Sequence, residues 1–154
     1  MTSLIRCVLA ATDGSETALA AVETATQLTV SLGPHARMHV VSVIAYAGLP
    51  GMLAKQPAGA PDLLAEQAEE ALQFGAAAAF AAGVQVQTHL VAGDVVPAIL
   101  ACAQEVGADI LVAGFHGRNR LVRLVMGGVV GNLVRATHLP VVVVRAAHAP
   151  ESAG

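Results

Sequence analysis

Aromatic side chains are scarce: 3% of the residues, with no tryptophan, one tyrosine and three phenylalanines. Lysine and arginine together number 8 against 11 acidic residues, for a formal net charge of −3. A chain with no basic stripe and little to stack on bases is not built to bind nucleic acid. Charged residues are only 12% of the chain and apolar ones 55%. That balance suggests a membrane, yet no uninterrupted apolar run approaches the roughly 18–20 residues of a spanning helix. The longest, FGAAAAFAAGV at 74–84, is mostly alanine. The start, MTSLIRCVLAATDG, has no basic segment ahead of a long apolar one, so no signal peptide and no membrane association are expected, and a cytoplasmic location is. The two cysteines, Cys7 and Cys102, lie far apart in apolar surroundings and read as small buried hydrophobes. Six histidines are scattered without ligand spacing, so no metal site is expected. No Ser–His–Asp context and no paired acids stand out, so an enzyme is not expected.

What is present is an alternation of short apolar runs and helical spacing. Five runs read as strands, at residues 6–12, 38–44, 84–91, 109–113 and 141–145. Four are near-continuously apolar, the mark of strands buried on both faces. The third, VQVQTHLV, alternates as an edge strand would. Between the first two, Ala18, Ala21, Val22, Ala25, Leu28 and Leu32 repeat at helical spacing until Gly33 and Pro34 stop them. Residues 62–82 form a second helical segment, with Asp62 as its cap and Gly83 as its end. Asp94 caps a third, with Pro97 in its first turn, and a fourth starts near Gly128 and ends by His138. Residues 45–61, rich in Gly, Pro and Ala, read equally as a flap or as a surface insertion. One domain over residues 1–146 with a tail at 147–154 accounts for the length.

This β-α alternation predicts an α/β fold with a doubly wound, five-stranded parallel sheet. In such sheets ligands bind at the carboxyl ends of the strands beside the point where the order reverses. With the order 3-2-1-4-5 those are the first and fourth strands, whose ends carry TDGS (Thr12, Asp13, Gly14, Ser15) and GFHG (Gly114, Phe115, His116, Gly117). There is neither GxGxxG nor GxxxxGK[ST]. The alternative is a two-part phosphate cradle: Gly114 and Gly117 bring bare backbone close to a ligand, and Gly127 and Gly128 open the last helix, where N–H groups and dipole favour anions. Asp13 reads both as an acceptor for a ligand amine or hydroxyl and as a cap of the first helix, and Ser15 shares the two readings. His116 and Arg118 read as ligand contacts or as exposed loop residues. Arg120 and Arg123 read as surface decoration.

On VLAATDGSETALAAV, GDVVPAIL, GADILVAGFHG, and the glycine pair followed by a helix and LPVVVVR, nearly the whole chain resembles the universal stress protein family. The resemblance implies a Rossmann-like α/β/α sandwich of the HUP type and a stress-response regulator that binds ATP, with Mg2+. ATP-binding members carry Gly, two residues, Gly, nine residues, Gly, then Ser or Thr, and Gly114, Gly117 and Gly127 fit that spacing. By position, Asp13 and the backbone near Val43 would hold adenine, with Thr12, Gly14 and Ser15 beside them. Gly114, His116 and Gly117 would pass the ribose and phosphates, Arg118 would approach a phosphate, and Gly127, Gly128 and Val129 would take the phosphate tail. One departure stands out: Gly128 occupies the hydroxyl position. Loss of that hydrogen bond costs on the order of 1 kcal/mol, more if charge-assisted. Two functions stay open, an ATP-binding sensor and a nucleotide-free interaction module. The resemblance also implies a homodimer paired through Val141–Val144, acting on an unidentified regulatory partner, and four valines on an exposed edge need such cover.

Overall fold

The computed structural model describes residues 4–45, 60–115 and 128–145. In chain order the elements are β1 (Cys7–Ala11), α1 (Glu16–Leu32), β2 (Arg37–Ala45), α2 (Ala60–Ala81), β3 (Val86–Gly93), α3 (Val95–Val106), β4 (Ile110–Gly114), α4 (Val129–Ala136) and β5 (Val141–Val144). The five strands form one sheet in the order β3-β2-β1-β4-β5, with every pairing parallel. This is the doubly wound order expected from the alternation. No helix among the described residues is long and apolar enough to cross a membrane.

The sheet divides two apolar layers because alternate residues of each strand point to opposite faces. One face sends Val8, Ala10, Met38, Val40, Ile110 and Val112 into a core with Ala21, Val22 and Ala25 of α1 and Leu72 and Ala79 of α2. The other sends Cys7, Leu9, Val41, Leu111 and Ala113 against Ile99, Cys102 and Ala103 of α3 and Leu133 of α4. β1 and β4 are therefore apolar along their length, and β2 is mostly so, with His39 and Ser42 as buried polar residues, whereas β3 is a mixture of half-buried and exposed residues, as suits an edge. Both cysteines are buried free thiols, in keeping with their apolar surroundings. Burial pushes each thiol above its ordinary value.

The ends of the helices correct two expectations. α2 begins at Ala60, so Asp62 stands in its first turn and not at the cap. Asp94 does occupy the N-cap of α3, but its side chain makes no capping bond. At the base of the sheet Asp109 does more than open a strand. Its Oδ2 accepts hydrogen bonds from the backbone N–H groups of Arg6 and Cys7, both at 2.9 Å. Together with the 2.8 Å bond from Asp109 N to the Cys7 carbonyl, this fastens the start of β1 to the approach of β4.

Candidate functional site

The order reverses between β1 and β4, and the carboxyl ends of these two strands lie side by side. Four sequence elements meet at this end of the sheet: the TDGS turn, Gly114 with Phe115, the start of α4, and Arg145 after β5. Among the described residues, the predicted Thr12, Asp13, Gly14, Ser15, Val43, Gly114, Gly128 and Val129 all fall at this end. His116, Gly117, Arg118 and Gly127 lie outside the described residues, as does most of the 45–61 segment and the tail.

The TDGS turn is held from within. Thr12 is buried and its N–H donates to the Val41 carbonyl at 2.9 Å, fixing the turn to β2. Its Oγ1 accepts from Gly14 N at 3.2 Å. Gly14 has φ 80, a left-handed conformation that glycine adopts without a Cβ penalty. Asp13 Oδ1 accepts from Ser15 N at 2.9 Å, and Ser15, the N-cap of α1, accepts on Oγ from Ala18 N at 3.2 Å. The capping reading of both residues is thus realised, with Ser15 as the cap itself and Asp13 one turn earlier. Ser15 Oγ also lies 3.3 Å from Thr17 Oγ1. The Asp13 side chain is exposed at the mouth of the cleft.

Gly114 has a role that the sequence did not disclose. A Cβ built on it would lie 2.6 Å from the Thr17 carbonyl oxygen, 2.7 Å from its carbon and 3.0 Å from Ala18 N. The first turn of α1 therefore crosses directly over the end of β4, and only a residue without a side chain admits it. The glycine is needed here for helix-on-strand packing, in addition to any close approach to a ligand that the sequence suggested. Next to it, Phe115 N donates to the Val144 carbonyl at 2.7 Å, and the Arg145 guanidinium carbon sits 4.6 Å from the Phe115 ring centroid. A cation held on an aromatic face is thereby placed at the carboxyl ends of β4 and β5. Neither residue was given a role from the sequence, although both lie within quoted motifs.

On the far side of the cleft Gly128 is the N-cap of α4 and provides no side-chain capping bond. A Cβ there would meet nothing within 4 Å among the described residues. Val43 of β2 is half-buried on the α3 side of the sheet, packed with Val91. A groove of about 360 Å3 between α2 and β3, lined by Glu69, Leu72, Gln73, Ala76, Thr88 and Leu90, belongs to the opposite flank and brings none of the predicted residues together. No group of three or more His, Cys, Asp or Glu suited to a metal occurs among the described residues.

The family model for the universal stress protein family matches residues 5–145. A universal stress protein of Methanocaldococcus jannaschii is 28% identical over 144 residues, which cover 93% of this chain and 84% of that one. The crystal structure of a member of the family from Burkholderia pseudomallei superposes with a TM-score of 0.71 at 28% identity, over 93% of this chain and 98% of that one. The structure of the universal stress protein from Archaeoglobus fulgidus in complex with dAMP shares the fold, with a TM-score of 0.66 at 20% identity over 91% and 97% of the two chains. The strand order, the TDGS turn at the end of β1, the glycine at the end of β4 and the family match over 5–145 lead to one conclusion: this chain belongs to the universal stress protein family.

Proposed function

We propose that this protein binds an adenine nucleotide, ATP with its Mg2+, at the carboxyl ends of β1 and β4, and acts as a regulatory homodimer in the stress response without catalytic chemistry of its own. The observation that carries the reading is the juxtaposition of the internally bonded TDGS turn and the N-terminus of α4 at the switch point. Prebuilt turns bind without a large ordering cost, and a helix N-terminus favours a phosphate group. Asp13 projects an exposed carboxylate that suits an exocyclic amine or a ribose hydroxyl. The dAMP complex of the Archaeoglobus relative supports an adenine nucleotide as the ligand class. Arg145, on Phe115, supplies positive charge at the same end. In this reading the protein works in the cytoplasm, and ATP occupancy changes the surface offered to a regulatory protein partner. Calorimetric titration with ATP and Mg2+ tests it. Heat of binding and thermal stabilisation are expected, and their absence at millimolar nucleotide refutes the nucleotide reading.

Gly128 favours a second reading, a nucleotide-free interaction dimer of the same fold. A Cβ at Gly128 meets none of the described residues within 4 Å, and Gly128→Ser adds the missing hydroxyl. ATP binding that appears only in this variant establishes the second reading. The dimer is proposed through Val141–Val144, where Val143 is exposed on an edge strand that carries no partner on its outer side within the described sheet. Solution mass by light scattering decides, and a clean monomer removes the dimer from both readings.

A further inference from the structure

His39 and His89 stand fifty positions apart in sequence, yet the parallel pairing of β2 with β3 brings their rings together. His39 Nδ1 and His89 Nε2 are 2.9 Å apart, and the rings stack with centroids at 5.1 Å and planes 29° apart. His39 is only 5% exposed, while His89 is half-buried on the edge strand. The remaining nitrogen of His39, Nε2, is buried with no hydrogen-bond partner among the described residues.

A contact of this kind requires one ring to donate an N–H and the other to accept on a bare nitrogen. With His39 Nδ1–H donating to His89 Nε2, the buried Nε2 of His39 is a bare acceptor. The reverse arrangement would bury an N–H with no acceptor, the rarer fault in folded proteins. The pair is therefore built for two neutral rings. A first added proton places a cation in an apolar layer, and a second sets N–H against N–H. The surrounding charges give no relief. On the same side of the sheet β2 contributes Arg37, which together with His89 disfavours the charged form of His39. The carboxylates of the neighbouring elements act elsewhere, Asp109 upon Cys7 and Glu105 of α3 upon Cys102. Among the described residues, the side chains whose charge acts on His39 are His89 and Arg37, with no carboxylate among them.

We propose that the His39–His89 pair is a proton-operated latch that fastens the edge strand β3 to β2 at neutral pH and releases it on acidification. β3 is hydrogen-bonded to the sheet through β2 alone, whereas β1 and β4 lie in its interior. Loosening the pair therefore frees one edge, together with the part of α3 that lies on it, and leaves the centre intact. Burial first, then the neighbouring His89 and Arg37, hold the His39 pKa below its ordinary value. The unfolded chain then binds more protons than the folded one below about pH 6.5, so stability is full above that pH and is lost as pH falls through the folded value. β2 also carries Val43, four positions beyond His39, so the latch borders the wall of the proposed nucleotide site without depending on it.

Hydrogen exchange of the full chain, compared at about pH 7.5 and about pH 5 after correction for intrinsic exchange chemistry, tests the latch. Amides of residues 86–93 are expected to lose protection several-fold at the lower pH while those of β1 and β4 keep theirs. His39→Phe and His89→Phe are each expected to flatten this pH dependence. His89, half-buried at the edge, tolerates replacement and carries the test if the buried position does not. Unchanged protection of β3 on acidification overturns the proposal. So does a uniform loss across the sheet, or a pH dependence that survives in the His89→Phe protein.

Discussion

Replacing Gly114 with alanine is expected to cost stability well before it touches any ligand. The added methyl would stand 2.6 and 2.7 Å from the carbonyl oxygen and carbon of Thr17, closer than real Cβ contacts come. These are backbone atoms of the first turn of α1, fixed by the Ser15 cap and by Thr12's bond to β2. No side chain can swing away, so the helix must lift from β4 or the strand end must move. Overpacking of this kind costs about 1–3 kcal/mol. For a domain of this size that corresponds to a fall in melting temperature of about 2–12 °C. Thermal and urea unfolding of the nucleotide-free protein measure it directly. The urea slope should be unchanged, because the folded and unfolded states remain the same size. A variant that melts with the parent would refute the close crossing of α1 over β4. A fall in nucleotide affinity without a fall in stability would point to the ligand-approach role that the sequence suggested.

Ser15→Ala removes the cap of α1 and should destabilise the protein by about 1 kcal/mol, read by urea unfolding, whereas Ser15→Asp should retain most of it. Asp109→Ala breaks two backbone contacts that tie β1 to β4, and a loss of about 1.5–3 kcal/mol is expected for bonds to a charged acceptor; equal stability would show the clamp to be idle. Burial raises the pKa of both thiols, so Cys7 and Cys102 should react with a disulfide reagent only at the rate of unfolding, and rapid labelling of the native protein contradicts their placement.

The strand order was legible because continuous apolar runs mark the central strands and alternation marks an edge. Those patterns depend only on which faces are buried, and burial is written residue by residue. The pairing of TDGS with Gly114 followed from topology alone. Three other features depended on where elements meet in space. The reason for Gly114 lies in a helix a hundred positions upstream, and the spacing that flagged the glycine is silent about α1. The histidine pair needs the register of β2 on β3, which places His39 beside Gln87 and His89 beside Val41; a scan for local ligand spacing passes over it. The chemistry of Asp94 suits a cap, yet its side chain makes no such bond, since capping depends on a rotamer and not on residue type.

The sheet separates the two halves of the cleft into different neighbourhoods. The TDGS turn leads into α1, which packs on one layer, and Gly128 leads into α4, which packs on the other. Each grip on a ligand is therefore mounted on its own apolar support, with the backbone of β1 and β4 as the shared partition. Substitutions beneath α1 and beneath α4 should combine additively in stability. A change in the TDGS turn or at the start of α4 is thus absorbed by its own layer, so that a residue such as Gly128 is accommodated without disturbing the turn across from it.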